Sequence, residues 1–212
     1  MASERSVPDG MYGALGALAL GHTLPIVAAI VFALAWCVCE FYARRDTWRQ
    51  GAVRKPAGTM DRGTYPAIAL SLAVGIGFST IAFLTGLGGY FPVWTVGVGI
   101  PIMAVGLAIR VWALTTLGKF FTMPITLRSD HELVRNGPYR WIRHPAYTGG
   151  FLTAAGLPII LGTPFGTSVT IIACLVAYVY RIRIEEAVLL SRFGESYREY
   201  STSTWRLLPG LY

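Results

Sequence analysis

Five long apolar runs alternate with shorter polar segments along the chain. Each run carries almost no charge and approaches the ~17–25 residues with which an α-helix crosses ~30 Å of hydrocarbon. The runs cover residues 24–42, 65–84, 93–117, 146–161 and 165–182. This pattern predicts an all-α, polytopic integral membrane protein with about five transmembrane helices.

The connections between the runs refine this prediction. Gly162, Thr163 and Pro164 form the whole link between the last two runs, and such a brief turn signal predicts an antiparallel helical hairpin. Residues 11–20 are also apolar, but a helix that joined them to the first run would be far longer than a bilayer needs. We interpret them as an interfacial or re-entrant lead-in. Gly194 is a point at which the helix after the fifth run can break or bend.

The composition excludes an ordinary soluble domain. Of the 212 residues, 54% are hydrophobic and only 14% are charged, and the mean hydropathy is +0.52, so the bilayer is part of the solvent of this protein. Cys37, Cys39 and Cys174 all lie inside apolar runs, where a thiol behaves as a small hydrophobic group. We therefore expect neither a disulfide nor a metal site.

The basic residues fall into alternate loops. Lys and Arg follow the first, third and fifth runs, whereas the second loop and the turn at residues 162–164 have none. Because Lys and Arg concentrate in cytoplasmic loops, the pattern predicts an external N-terminus and places residues 135–150 and the C-terminal segment on the cytoplasmic side. The net charge of +7 is then an orientation signal, with some attraction to anionic headgroups, and no nucleic-acid partner is expected.

Residues 118–145 are predicted to form an interfacial cap, because they are too polar to span the bilayer and too aromatic for a solvated linker. In and just after this cap, the only His-Pro dipeptide of the chain stands among three arginines and three aromatic residues. Pro145 suits the first turn of a helix, so we expect His144 at the N-cap of the fourth helix. Tyr147 and Gly149 follow in its first turn, where glycine leaves room for another backbone or a flat ligand. Alternatively, the cluster is a set of ordinary membrane anchors.

Two adjacent carboxylates follow the fifth run, at the start of a predicted C-terminal amphipathic helix. At about 100° per residue, Glu186 shares a helical face with Tyr197, and Glu185 lies about a quarter-turn away. Carboxylates that face apolar neighbours need cationic partners. The pair therefore either binds a cationic ligand or forms salt bridges with Arg181 and Arg183.

One cation lies inside an apolar run. Arg110 stands seven residues before Leu117, about 10 Å below that end of the third helix. Its side chain can snorkel to the cytoplasmic interface, or it can bind a substrate carboxylate inside the bundle. His22 and His131 have no ligand-like spacing to other donors, and we interpret both as structural or solvated.

The ordered motifs of the C-terminal half resemble a known family. Residues 133–140 read Leu-Val-Arg-Asn-Gly-Pro-Tyr-Arg and residues 143–149 read Arg-His-Pro-Ala-Tyr-Thr-Gly; later come Glu185, Glu186, Phe193, Gly194, Tyr197 and Tyr200. This combination is similar to the isoprenylcysteine carboxyl methyltransferase family and its bacterial relatives in the phospholipid methyltransferase-like superfamily. By this resemblance, residues 118–212 would form a methyltransferase-like core and residues 1–117 a substrate-handling transmembrane region.

The resemblance implies an integral membrane enzyme that uses S-adenosylmethionine and releases S-adenosylhomocysteine. The cofactor would contact residues of both motifs, namely His144, Pro145, Tyr147, Gly149, Glu185 or Glu186, and Tyr197. A sulfonium with an amino group carries two positive charges and one carboxylate. Such a molecule suits a site with a carboxylate and aromatic faces on one side and a helix N-terminus or Arg on the other.

A carboxylate acceptor would need positioning and exclusion of water more than a base, because it is already ionised at neutral pH. Arg143 would orient such a carboxylate, with Arg110 or Arg206 as further candidates. An amine or phenol acceptor would instead need a proton acceptor, such as His144 or a glutamate. We therefore expect Arg143, Glu186 and Arg110 to carry catalysis on a lipophilic or lipidated substrate that arrives from the bilayer.

Two alternatives stay open. Residues 193–200, which include Phe193, Gly194, Tyr197 and Tyr200, and residues 206–212 are also similar to membrane sterol reductases, which use NADPH. The Glu185 and Glu186 pair, however, suits a polyanionic dinucleotide poorly. The second alternative is a non-enzymatic membrane or lipid-binding protein, which would not require these motifs in this order. The short outer turns and compact size favour a bacterial inner membrane as the location.

Overall fold

The structure, a computed structural model, describes residues 23, 25–31, 33–41, 61–121, 125 and 130–210. Regular structure within these residues is helical apart from one isolated β-bridge. The α-helices are α1 (Pro25–Phe41), α2 (Thr64–Thr85), α3 (Val96–Leu117), α4 (Pro145–Ile160), α5 (Pro164–Phe193) and α6 (Glu195–Thr202). The predicted all-α class is confirmed. The apolar lead-in at residues 11–20, His22 and most of the first polar loop lie outside the described residues.

Three of the predicted spans are helices long and apolar enough to cross a bilayer. They cover Thr64–Thr85, Val93–Phe120 and Pro164–Phe193. The other two predicted spans correspond to α1 and α4, which are shorter. With 16 residues, α4 extends over about 24 Å, less than the ~30 Å of hydrocarbon. The count of five spans therefore stays a prediction.

Glycines bring α3 and α4 into close contact. A Cβ atom on Gly106 would lie 2.6 Å from the backbone nitrogen of Thr153, and one on Gly149 would lie 2.5 Å from the carbonyl oxygen of Gly106. Two helical turns further along each helix, Gly99 and Gly156 meet in the same way. Small residues at such positions let membrane helices approach backbone to backbone. The α3–α4 pair is therefore a rigid unit that carries the first turn of α4.

The helical hairpin predicted for the last two runs is confirmed. α4 ends at Ile160, Gly162 turns the chain with a φ of 70°, and Pro164 begins α5, which packs on α4. α5 also packs along α2, where a Cβ on Gly75 would lie 2.8 Å from Oγ1 of Thr170. The hairpin therefore brings the C-terminal end of α5 beside the start of α4.

The chain turns back after α5 and covers the end of the bundle at which α4 begins. Gly194, with a φ of 53°, separates α5 from the short α6, which confirms the predicted break. The segment that follows, residues 203–210, is called the tail here. Trp205 N–H donates to the Trp141 carbonyl (2.9 Å), and its own carbonyl accepts from the Arg143 N–H (2.7 Å). The tail thus pairs with the backbone that leads into α4.

Candidate active site

A cavity of about 880 Å³, including the space open at its mouth, lies where the cap, α4, α5 and α6 meet. Five residues predicted for the site line it: Arg143, His144, Tyr147, Glu185 and Tyr197. The two motifs, about forty residues apart in the sequence, therefore meet around one cavity.

His144 stands at the N-cap of α4, and Pro145 occupies the first turn, as the sequence predicted. The imidazole of His144 is buried and stacks on the ring of Tyr147, with centroids 5.6 Å apart. Tyr147 stacks in turn on Tyr178 of α5 at 5.5 Å. The first turn of α4 therefore presents the rings of His144 and Tyr147 to the cavity, and Tyr178 of the neighbouring helix packs against Tyr147.

Glu185 is the carboxylate that lines the cavity. Its Oε2 atom accepts a hydrogen bond of 2.5 Å from the Tyr147 hydroxyl and lies 4.0 Å from Nδ1 of His144. Oε1 has no hydrogen-bond partner among the described residues, and 29% of the side chain is exposed. Half of this carboxylate is thus available to a ligand.

Glu186 has a different environment. Its carboxylate lies 3.1 Å from Nε of Arg143, 3.1 Å from Nη2 of Arg206 and 3.4 Å from Nε2 of His144. The alternative in which the glutamate pair forms salt bridges with Arg181 and Arg183 does not hold for Glu186, whose cationic partners come from the cap and the tail. Glu186 is not part of the cavity wall, and its contacts tie three segments together.

Arg143 joins the cap to the tail. Besides its bond to Glu186, its Nη1 atom donates to the carbonyl of Ser201 (2.5 Å) and to the carbonyl of Thr204. Its Nη2 atom makes no hydrogen bond within the described part of the chain, although Arg143 lines the cavity. One edge of this guanidinium is therefore structural, and the other is available.

The two buried tyrosines of α6 differ in their hydroxyl groups. Tyr200 donates a hydrogen bond of 2.6 Å to the carbonyl of Tyr139, whereas the buried hydroxyl of Tyr197 has no partner among the described residues. Burial raises the pKa of Tyr200 to about 12. Burial, together with the charge of Glu186, also raises the pKa of Tyr197. Both phenols are therefore neutral at physiological pH.

A buried ion pair that the sequence reading missed lies behind the cavity. Nη1 of Arg181 donates to Oδ1 of Asp61 (2.9 Å) and to Oγ1 of Thr64 (2.8 Å), while its Nε donates to the hydroxyl of Tyr147 (2.6 Å). Burial raises the pKa of Asp61, but the hydrogen bonds from Thr64 and the Tyr65 N–H and the charge of Arg181 outweigh it, so the net shift is downward. The sequence feature that could have indicated this pair is the acidic residue Asp61 just before an apolar run.

Three other predicted site residues lie away from the cavity wall. Nε of Arg110 donates to Oε1 of Glu40 (2.6 Å) and Nη1 to the carbonyl of Ala146 (2.9 Å), so Arg110 pairs with α1 instead of snorkelling to the interface. Gly149 abuts the backbone of α3, which is the first of its two predicted roles. Pro145 is fully buried. Neither Arg110, Gly149 nor Pro145 lines the cavity.

Comparisons with known proteins identify relatives of this chain. A model of the isoprenylcysteine carboxyl methyltransferase family matches residues 98–191. A protein-S-isoprenylcysteine O-methyltransferase of Dictyostelium discoideum is 36% identical over 124 residues, which are 58% of this chain and 52% of that protein. Protein-S-isoprenylcysteine O-methyltransferase B of Arabidopsis thaliana is 30% identical over 137 residues, 64% of this chain and 68% of that protein.

The likeness extends to a solved structure. The eukaryotic intramembrane Ras methyltransferase, an isoprenylcysteine carboxyl methyltransferase, superposes with a TM-score of 0.60 and 26% identity, covering 92% of this chain and 74% of that one. The chain spans about half the length of the first relatives that it matches. These relatives are eukaryotic, so the predicted bacterial location gains no support, and the reductase alternative is not favoured. The chain belongs to the isoprenylcysteine carboxyl methyltransferase family.

Proposed function

We propose that this protein transfers a methyl group from S-adenosylmethionine to the carboxylate of a lipophilic acceptor, of the prenylcysteine type or another amphiphile. The observation that carries the proposal is the cavity beside Glu185, in which a half-available carboxylate, stacked aromatic rings and the unpartnered Tyr197 hydroxyl meet at the end of a membrane bundle. The names of the relatives, which are methyltransferases of isoprenylcysteine, support it.

The residues around the cavity fit the methyl donor. Its sulfonium and amino groups are cationic, and Glu185 offers them an oxygen without a partner in the described structure, beside the ring faces of His144 and Tyr147. The buried hydroxyl of Tyr197 has no hydrogen-bond partner among the described residues, and a polar ligand atom can supply one. When bound, S-adenosylmethionine supplies an electrophilic methyl group. Between the two glutamates, the geometry favours Glu185 as the cofactor contact.

The rest of the cavity suits an amphiphilic acceptor. Apolar side chains of the cap and α5, including Phe120, Phe121 and Leu189, line one part of it, and Arg143 lies in the polar part. A carboxylate acceptor needs no base at neutral pH, so the chain has only to hold it in line with the methyl group and exclude water. We assign the holding role to the free edge of Arg143. Glu186 keeps Arg143 in place and takes no direct part.

The side of the membrane follows from the charge pattern. The cavity is built from the cap and the helix ends that carry the basic residues, and Lys and Arg favour the cytoplasmic side. The site therefore faces the cytoplasm, with the bilayer as the partner from which the acceptor arrives. A bacterial inner membrane stays a prediction.

Ligand binding to the purified full chain in detergent tests the proposal. Titration calorimetry with S-adenosylhomocysteine should give saturable binding, and NADPH should give none, because only the first ligand carries a cationic amino acid end. Transfer of labelled methyl groups to prenylcysteine analogues should then be measured against the same analogues with an esterified carboxylate. Binding of NADPH alone would overturn the proposal, and equal labelling of both analogues would overturn the carboxylate assignment.

A further inference from the structure

Asp61 lies behind the cavity wall, yet consecutive hydrogen bonds connect it to the carboxylate inside. Arg181 donates from Nη1 to Asp61 and from Nε to the hydroxyl of Tyr147, at 2.9 Å and 2.6 Å. That hydroxyl donates to Oε2 of Glu185 at 2.5 Å. One guanidinium therefore stands between two carboxylates, of which Asp61 is bonded directly and Glu185 through a neutral phenol.

Because Arg181 and Asp61 are buried, the positive charge of Arg181 has to be balanced by an anion nearby. The side chains of Arg181 and Asp61 are only 6% and 10% exposed. A guanidinium stays protonated in proteins, and a buried one needs an anion beside it. Asp61, through a direct bond, and Glu185, through Tyr147, can each balance the positive charge of Arg181. The carboxylate that compensates Arg181 is less able to attract a cationic ligand.

Asp61 is held in place independently of Arg181. Its carboxylate accepts hydrogen bonds from the Thr64 hydroxyl (2.7 Å), the Tyr65 N–H (3.0 Å) and the Ile125 N–H of the cap (3.4 Å). These donors favour the ionised carboxylate. Asp61 is therefore a fixed negative charge at the N-terminal end of α2, placed where Arg181 meets it.

We propose that Asp61 is a positioning residue of the methyl-donor site: it compensates the charge of Arg181, so that Glu185 keeps its own negative charge for the cationic end of the methyl donor. The inference rests on the proposed function. Without the charge of Asp61, Arg181 is compensated by Glu185, and the three groups together pass from a net charge of −1 to neutral. The cavity then loses its attraction for a sulfonium but not for an uncharged thioether.

The test compares two ligands that differ in this charge. S-adenosylmethionine carries the sulfonium, and S-adenosylhomocysteine carries a neutral sulfur in the same framework. Calorimetry on the full chain in detergent should show that Asp61→Asn weakens S-adenosylmethionine more than S-adenosylhomocysteine. The Kd for S-adenosylmethionine divided by the Kd for S-adenosylhomocysteine should rise about tenfold. Glu185→Gln should raise it similarly. The matched control, Asp130→Asn, removes a carboxylate from the exposed pair with Lys119 and should leave the ratio unchanged.

A purely structural role of Asp61 would weaken both ligands equally. An unchanged ratio in Asp61→Asn, with a raised ratio in Glu185→Gln, would overturn the inference and leave the proposed function intact. Wild-type protein that binds neither ligand would overturn both. The double variant Asp61→Asn/Arg181→Gln removes both buried charges and should restore the wild-type ratio. If Asp61→Asn does not fold, Arg181→Gln provides a second test. This variant should lower the Kd for S-adenosylmethionine relative to the Kd for S-adenosylhomocysteine.

Discussion

The hydroxyl of Tyr147 lies between a cation and an anion, since it donates to Glu185 at 2.5 Å and accepts from Arg181 at 2.6 Å. This uncharged hydroxyl connects Arg181 to Glu185 by two hydrogen bonds, so the two charged groups are held in position without a direct ion pair. The aromatic ring below it stacks on His144. Tyr147 therefore links the two sequence motifs beside the contacts that Glu186 makes with Arg143 and His144.

Glu185 and Glu186 should behave differently when each is replaced by Gln. Glu185→Gln should weaken S-adenosylmethionine binding about tenfold and leave unfolding almost unchanged, because its carboxylate is half available. Glu186→Gln should lower stability by about 1–3 kcal/mol, because Arg143 loses its buried anion. Calorimetry and thermal unfolding check both, with the exposed Glu195→Gln as the control. The reverse pattern would reassign the cofactor contact to Glu186.

Tyr197→Phe should stabilise the ligand-free protein while weakening ligand binding. Its buried hydroxyl has no partner among the described residues, so its removal should add about 1 kcal/mol of stability. S-adenosylhomocysteine should bind more weakly if that hydroxyl contacts it. Tyr200→Phe is the matched control, because it loses the bond to Tyr139 and should be destabilised. Equal destabilisation of both variants would show that the Tyr197 hydroxyl is satisfied in the ligand-free protein.

Arg143→Lys should release the tail. A lysine cannot bond Glu186 and the carbonyls of Ser201 and Thr204 at once, as the guanidinium does. We expect faster proteolysis of the tail and about a 100-fold loss of methyl transfer, because the site would be displaced. Arg140→Lys is the control, since Arg140 is exposed and lies over the Trp141 ring. If the tail stays intact and activity is lost to the same extent, Arg143 acts only by holding the acceptor carboxylate.

Arg110→Gln should destabilise the fold without changing ligand affinity in the folded fraction. It would leave Glu40 buried without its arginine, and breaking a buried pair costs about 3–5 kcal/mol. The double variant Glu40→Gln/Arg110→Gln should recover most of this loss. Thermal unfolding in detergent measures the change, and Arg198→Gln, in an exposed pair, serves as the control. A selective loss of carboxylate acceptor binding would restore the predicted catalytic role of Arg110.

Local features of the site could be predicted from the sequence because they depend on neighbouring residues. Pro145 determines where α4 begins and so puts His144 at its N-cap, and Gly194 determines where α5 ends. The helical pattern predicted Glu186 on the face shared with Tyr197 and Glu185 about a quarter-turn away, able to point toward the bundle as well. It did not distinguish them, because adjacent residues differ by about 100° and the packed neighbours decide which one meets the cavity.

Long-range pairs could not be predicted in the same way. Arg181 meets Asp61 across 120 positions, and Arg110 meets Glu40 across 70. Hydrophobic periodicity fixes each helix but contains no information on which helices stand side by side. The backbone pairing of Trp205 with residues 141–143 was missed for the same reason, since the tail has no alternating strand pattern.

The docking of the tail makes the start of α4 depend on residues that are synthesised after it. Translation delivers α1 to α5 to the membrane before Trp205 and Arg206 emerge from the ribosome, so the nascent chain lacks the backbone partners of Arg143 and His144. Its histidine segment stays loose until those residues arrive. Assembly of the cavity around His144 is therefore expected to be a late step of folding.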